Sequence, residues 1–255
     1  MYKYLAGLSS SNGLFSVSLN ILTDLYQKKG VFDKNFKLSD LDLNIKACTT
    51  ASISTQYNNT FSVVRHEFLE LQIRIGLDKY LRTGICKNEV EALEAFFASK
   101  IFNIIDPYEW RMKRLFNEEC DNVLSGNKEL LNTIFENSKG RVSKNSEKRG
   151  LCEEDFLFLM TEFGFFNDKF TVRYGHICFH LALTTRVDEI NNTLFMLAGF
   201  YEFIEAFCRV CDLTDTQDVD KDVVLGFCNP EVTLDKKIEK GLGVFSSLKV
   251  GRRRR

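Results

Sequence analysis

The sequence predicts an all-α protein made of two related helical modules joined by a helical connector. Three observations carry that prediction. A phrase recurs about 134 residues on: Glu67-Phe68-Leu69-Glu70-Leu71-Gln72-Ile73-Arg74-Ile75 returns as Glu202-Phe203-Ile204-Glu205-Ala206-Phe207-Cys208-Arg209-Val210. Upstream, Gly30 to Phe36 matches Gly164 to Phe170, and between these anchors Asn58-Asn59-Thr60 matches Asn191-Asn192-Thr193, within one residue of the same offset. A repeat of this kind decides the architecture before anything else does. Only two prolines, Pro107 and Pro230, interrupt 255 residues, which leaves room for long helices. Finally, apolar residues recur with helical spacing along most of the chain.

Taken in order, residues 15–29 place Leu19, Leu22, Leu25 and Tyr26 on one stripe, and a link through Gly30 and Phe32 leads to a helix over 37–50. A polar break, Ser52 to Asn59, precedes a helix from Ser62 that carries Val64, Phe68, Leu71 and Ile75 and stops near Gly84, a normal helix end. No entering helix is evident before residue 15. Asn88-Glu89 opens the next helix, through Ala92, Phe96 and Ile101, and Asp106-Pro107 ends it. The helix from Glu109 runs through Trp110, Leu115 and Leu124 to Gly126, and another follows from Lys128 to Glu136. Residues 137–150 are polar and basic without apolar period and read as a mobile loop. Phe156, Leu159, Met160 and Phe163 then form a stripe, Phe170–Leu183 a helix, Asp188–Asn192 a break, and Phe200, Phe203, Ile204 and Phe207 the last strong stripe. Asp212, Asp215, Asp218, Asp220 and Asp222 read as a solvated acidic loop, 231–240 as a short helix, and the tail from Gly241 to Arg252–Arg255 as loose. The expected division is a first module at 1–84, a connector at 85–126, a second module at 127–213 and a terminal segment at 214–255.

Composition narrows the function. A hydrophobic fraction of 44% supplies a core, and a formal net charge of -1 gives no global field for nucleic acid or anionic membrane. Eight cysteines without a secretory signal read as reduced thiols of a cytoplasmic protein. No stretch approaches the roughly 18 apolar residues of a membrane span. There is no glycine-rich phosphate loop and no serine nucleophile elbow, and three histidines offer little acid–base material. The expectation is a protein without catalytic residues or a bound cofactor. The four terminal arginines could touch an anionic partner.

The chain resembles a divergent, degenerate EF-hand-like family of ciliated and flagellated protists, related to the calmodulin-like EF-hand superfamily. The resemblance rests on Phe68–Gly76 and Phe203–Cys211, on Trp110–Leu124, on Phe170-Thr171-Val172-Arg173 and on Val187-Asp188-Glu189, and covers about residues 20–213. It implies paired EF-hands, in which a hydrophobic residue at loop position 8 joins two loops and a glutamate at position 12 closes the metal site. It also implies an axonemal setting.

A calcium loop needs oxygen ligands at positions 1, 3, 5, 7, 9 and 12, with glycine at 6. With Glu67 at position 12, Gln56, Asn58 and Thr60 fall at 1, 3 and 5, and Phe61 replaces the glycine. With Glu202 at 12, Asn191, Thr193 and Phe195 take those places, followed by Met196. Both loops lack the negative charge that offsets dehydration of a divalent ion, so no tight calcium site is expected. Gln56, Asn58, Thr60 and Glu67 form the weak calcium candidate. Asp218, Asp220 and Asp222 imitate half a loop, but Val223 replaces the glycine. His176 and His180 stand four apart on a helix, a zinc-compatible spacing with no third ligand evident; the plainer reading is two partly exposed histidines. Cys208 and Cys211 have CxxC spacing but lie late in a helix, where packing is the plainer reading.

These readings converge on a non-enzymatic structural or adaptor protein. Its partners would be an amphipathic helix or a cytoskeletal assembly such as the microtubules of a cilium or flagellum. The alternative is a calcium-responsive regulator, and a third reading is a small zinc or redox protein using His176, His180, Cys208 and Cys211.

Overall fold

The computed structural model describes residues 1–9, 16–50, 62–101, 110–142, 150–184, 194–214 and 232–252. The chain is mostly helical, and among the described residues its one sheet is a pair of two-residue strands. It gathers into two compact units, Met1–Ile105 and Asp106–Arg255, so the stretch 85–126 is divided between them. Among the described residues no helix is long and apolar enough to cross a membrane.

The first unit opens with α1 (Tyr2–Ser9), which stands where the sequence shows no entering helix. Its Leu5 and Ala6 are buried, and the Tyr2 ring lies 5.5 Å from Phe68. β1 (Val17–Ser18) leads into α2 (Leu19–Lys28), which buries Leu22 and Tyr26. Then come α3 (Leu38–Thr50), β2 (Ser62–Val63) and α4 (Arg65–Gly76). The strands are antiparallel, with Val17 opposite Val63. α4 widens into a π-helical turn, Leu77–Leu81, which ends three residues before the left-handed Gly84. α5 (Glu89–Phe96) starts at Asn88, whose side chain accepts from Glu91 N at 2.9 Å, and buries Ala92 and Phe96. Gly76 permits close approach here, since a Cβ would lie 3.1 Å from Leu93 and 3.3 Å from Phe96.

In the second unit a π-helical turn, Arg111–Leu115, breaks at Phe116. A new helix, α6 (Glu118–Gly126), begins there because Asn117 accepts from Cys120 N at 2.9 Å, so the single helix expected over this stretch is two. α7 (Lys128–Ser138), α8 (Glu153–Glu162), α9 (Val172–Ala182) and α10 (Phe200–Thr214) follow. The last is α11 (Leu234–Arg252). Leu151 and Ala198 exchange backbone hydrogen bonds of 2.8 Å each way.

Two turns, one per unit, are closed by the same bonds. After α2, Gly30 N donates to Gln27 O (3.1 Å) and Val31 N to Tyr26 O (2.9 Å); after α8, Gly164 N donates to Thr161 O (3.0 Å) and Phe165 N to Met160 O (3.0 Å). Gly30 and Gly164 both have positive φ, 59° and 70°, the left-handed residue that ends a helix. Next, Asp33 Oδ1 accepts from Asn35 N and Phe36 N (2.8 and 3.0 Å), and Asn167 Oδ1 from Lys169 N and Phe170 N (2.9 and 2.8 Å).

Two expectations are corrected. The tail from Gly241 is not loose as far as Arg252: α11 continues to that residue, with Leu242 and Phe245 buried, and residues 253–255 lie outside the described residues. Nor does the start of the 137–150 stretch run free. Asp155 accepts from Gly140 N (2.8 Å) and Val142 N (2.7 Å), and Arg141 pairs with Glu162 at 2.6 Å. Residues 143–149 lie outside the described residues.

A Cβ at Gly164 would meet nothing within 4 Å, so a substitution there tests backbone conformation alone. Gly164→Ala should lower stability by about 1–2 kcal/mol, read from the denaturant midpoint at unchanged helicity.

Candidate helix-docking site

The second unit carries an apolar groove with a helix in it. Its wall is aromatic because the turn after α8 supplies Phe163 and Phe165, and α10 presents Phe207 and Cys211 one turn apart. α11 lies against this wall with Leu234, Ile238, Leu242 and Phe245 buried, the i, i+4, i+8, i+11 stripe of an amphipathic helix. The Phe245 ring sits 4.6 Å from Phe163, 5.5 Å from Phe165 and 5.0 Å from Phe207. Edge-on and tilted ring pairs at these separations add to the burial. The helix comes close because residue 241 is glycine: a Cβ there would lie 2.5 Å from Cys211 Sγ and 3.1 Å from the Phe207 ring.

Charge lies under the apolar wall. Asp212 is fully buried and accepts from Trp110 Nε1 (2.9 Å), from Arg114 (2.6 Å) and from Lys237 Nζ of α11 (3.1 Å). The same ammonium donates to the Asp212 carbonyl at 2.7 Å. Two turns earlier, Glu205 takes both its oxygens to Arg111 Nε (2.9 and 2.8 Å) and accepts from Arg209 Nε and a terminal nitrogen (3.0 and 2.8 Å). The Arg209 guanidinium stacks 4.0 Å from the Trp110 ring, a cation–π contact in a desolvated place. Asp212 was grouped by sequence with the solvated acidic run; it belongs instead to this buried floor. Asp215, Asp218, Asp220 and Asp222 lie outside the described residues.

A second polar cluster ties α8 to α9. Glu153 Oε1 is shared by His176 Nδ1 (2.7 Å) and His180 Nε2 (2.8 Å). Burial by itself would raise the Glu153 carboxyl, but the adjoining His180 and His176 outweigh it and hold it down at about 2. An ionised carboxylate only accepts, so His176 Nδ1 and His180 Nε2 both carry protons. His180 is fully buried, which corrects the expectation of two partly exposed histidines. Glu153 is the partner that the sequence did not reveal.

The calcium candidates are placed only in part. Gln56, Asn58 and Thr60 lie outside the described residues. Glu67 is buried, and its carboxylate accepts from Val64 N at 2.9 Å, capping the start of α4. Glu202 does the same for α10, accepting from Gly199 N (2.6 Å) and also from Thr184 N (2.7 Å). Among the described residues no group of three or more histidine, cysteine or acidic side chains has the arrangement to hold a metal ion. Cys208 and Cys211 are buried, and burial pushes the Cys208 thiol well up, away from the thiolate that redox chemistry needs.

Among the residues that make the groove, Trp110 and Arg114 stood in a phrase legible in sequence; Asp212 and Lys237 did not announce themselves. Each is a charged residue on the apolar face of an amphipathic helix, and that misplacement was the available signal. Comparison with known protein families, curated proteins and solved structures finds no match.

Asp212→Ala should cost about 3–5 kcal/mol of stability in chemical denaturation, because it takes the carboxylate from the buried Lys237 and the part-buried Arg114. Lys237→Met should cost less than about 1 kcal/mol, since Asp212 retains Arg114 and Trp110.

The Glu153 carboxyl is depressed in the fold, from 4.5 to about 2. Its contribution to stability is therefore full above the unfolded value and is lost as pH falls through the folded one. Between about pH 5 and 2 the denaturation midpoint of the unaltered chain should fall more steeply than that of Glu153→Gln.

Proposed function

We propose that the chain is a non-enzymatic adaptor built from two EF-hand-like modules related by an internal repeat, and that it works by seating amphipathic helices in apolar grooves. The observation that carries this reading is α11 itself. A groove lined by Phe163, Phe165, Phe207 and Cys211 already holds a helix by its apolar stripe and one lysine, the helix-in-groove mode of recognition.

The repeat is supported bond by bond. The turns after α2 and α8 share their hydrogen bonds at an offset of 134 residues, and Glu67 and Glu202 cap α4 and α10 alike. The loop pairing fits the same frame. With Glu67 and Glu202 at position 12, position 8 falls on Val63 and Ala198, the residues that pair with Val17 and Leu151. In this frame α1 and α7 are the entering helices of the first hand of each pair. By the sequence resemblance, the class of partner is a cytoskeletal assembly of microtubules, as in a cilium or flagellum.

The calcium-responsive alternative requires Glu67 to turn from its cap to an ion. Calorimetric titration with calcium, with Trp110 emission recorded in parallel, separates the two. The adaptor reading expects neither saturable heat nor a spectral shift up to millimolar calcium. Saturable micromolar binding that Glu67→Gln abolishes would replace it with a sensor. Cosedimentation with polymerised tubulin tests the lattice: saturable pelleting supports it, and none at tens of micromolar tubulin removes microtubules as the partner.

A further inference from the structure

The floor of the groove keeps its carboxylates paired with cations of its own, apart from the helix that covers it. Asp212 is held by Trp110 and Arg114, and Glu205 by Arg111 and Arg209, all from the floor itself. Lys237 is the donor that α11 adds to Asp212. Withdrawing α11 leaves each carboxylate with at least one cation. Opening therefore exposes the apolar faces of Phe163, Phe165, Phe207 and Cys211 and the side of α6 on which α11 also packs, but orphans no carboxylate of the floor, the outcome that makes breaking a buried ion pair so costly. Lys237 goes to water, where an ammonium is well solvated.

Connectivity points the same way. In the first unit α5, which packs on α4 beside α3, follows α4 through the short run 77–88. In the second unit residues 215–233 stand between the end of α10 and the start of α11.

We propose that α11 is a resident ligand of the groove that yields its place to an amphipathic helix of a partner protein written in the same code. The code has apolar residues at the positions of Leu234, Ile238 and Leu242, lysine at 237, glycine at 241 and an aromatic at 245. This rests on the helix-docking reading above and names its partner. Each position has a physical reason. A lysine stem crosses the apolar wall and delivers its ammonium to the carbonyl and carboxylate of Asp212, whereas a glutamate would set a like charge against a fully buried one. Any side chain at 241 meets Cys211 and Phe207. The aromatic at 245 touches three rings. While α11 is in place, its tethering gives it an effective concentration of about millimolar, so the partner helix competes with a covalently linked rival.

The test uses the full chain and a fluorescent synthetic peptide spanning residues 232–250. Phe245→Asp should weaken the resident helix and open the groove. Saturable peptide binding to that variant is expected, and binding to the unaltered chain should be at least about tenfold weaker. Peptides carrying Lys237→Glu or Gly241→Leu should fail to bind. Native-state amide exchange on the unaltered chain is the second measurement. Amides of α11 should exchange at least about tenfold faster than those of α10, as a locally opening element does. If α11 exchanges no faster than α10, the resident helix leaves only when the unit unfolds. Displacement is then wrong, while peptide binding to Phe245→Asp would keep the docking reading. A folded Phe245→Asp chain that ignores the peptide overturns both. Equal binding of the Lys237→Glu peptide overturns the code. Should Phe245→Asp fail to fold, the exchange rates of the unaltered chain decide the inference alone.

Discussion

Much of the second unit depends on one buried carboxylate. Asp212 lies on α10, yet it is met by Trp110 and Arg114 from about a hundred residues earlier and by Lys237 from beyond the end of its own helix. An isolated carboxylate in such a place would be prohibitive. Hydrogen bonds from Trp110, Arg114 and Lys237, the last two of them cations, make it tolerable, and in doing so they fix three segments against one another. The apolar contacts around it are plentiful but directionless. Several registers of α11 along the wall would bury similar area; one brings Lys237 to Asp212 and Gly241 to Cys211 at the same time. Burial supplies the attraction, and the charge and the glycine supply the register.

The helical architecture was legible because its signals are local and periodic. The stripes over α2, α4, α8 and α10 fall on buried faces, with Leu22, Phe68, Leu71, Phe156 and Phe203 in the core. The turns at Gly30 and Gly164 were visible as glycines at matching offsets. α11 was cut short at Gly241 for an equally physical reason. Glycine lowers helix propensity, and two glycines two residues apart, Gly241 and Gly243, read as an end. Close approach to Cys211 is a tertiary demand, and propensity does not see it. The break at Phe116 escaped for the opposite reason, since Asn117 had to be recognised as a cap within an apparently continuous helix.

Sites were less legible than helices, because they join residues distant in the chain. His176 and His180 were noticed for their spacing, but the residue that organises them, Glu153, lies at the start of another helix. The same holds for Asp212 and Lys237. An acid or a lysine inside an apolar stripe is improbable on its own, and its presence asks for a counterpart elsewhere. Sequence can pose that question without naming the counterpart.

The repeated arginine shows how far one phrase can diverge in use. Arg74 pairs with Glu70 one turn earlier on α4, and both are well exposed, the kind of helix-surface pair that contributes a few tenths of a kcal/mol. Arg209 pairs with Glu205 in the same geometry on α10, but there both are buried, Arg111 grips the same carboxylate, and Trp110 covers the guanidinium. The phrase is alike and the surroundings are not. In the first unit α5, held close to α4 by Gly76, covers the helix without any charge at its contact with that glycine. In the second unit a longer connection and a charged floor accompany the covering helix. That difference, and not the shared phrase, sets the two covering helices apart.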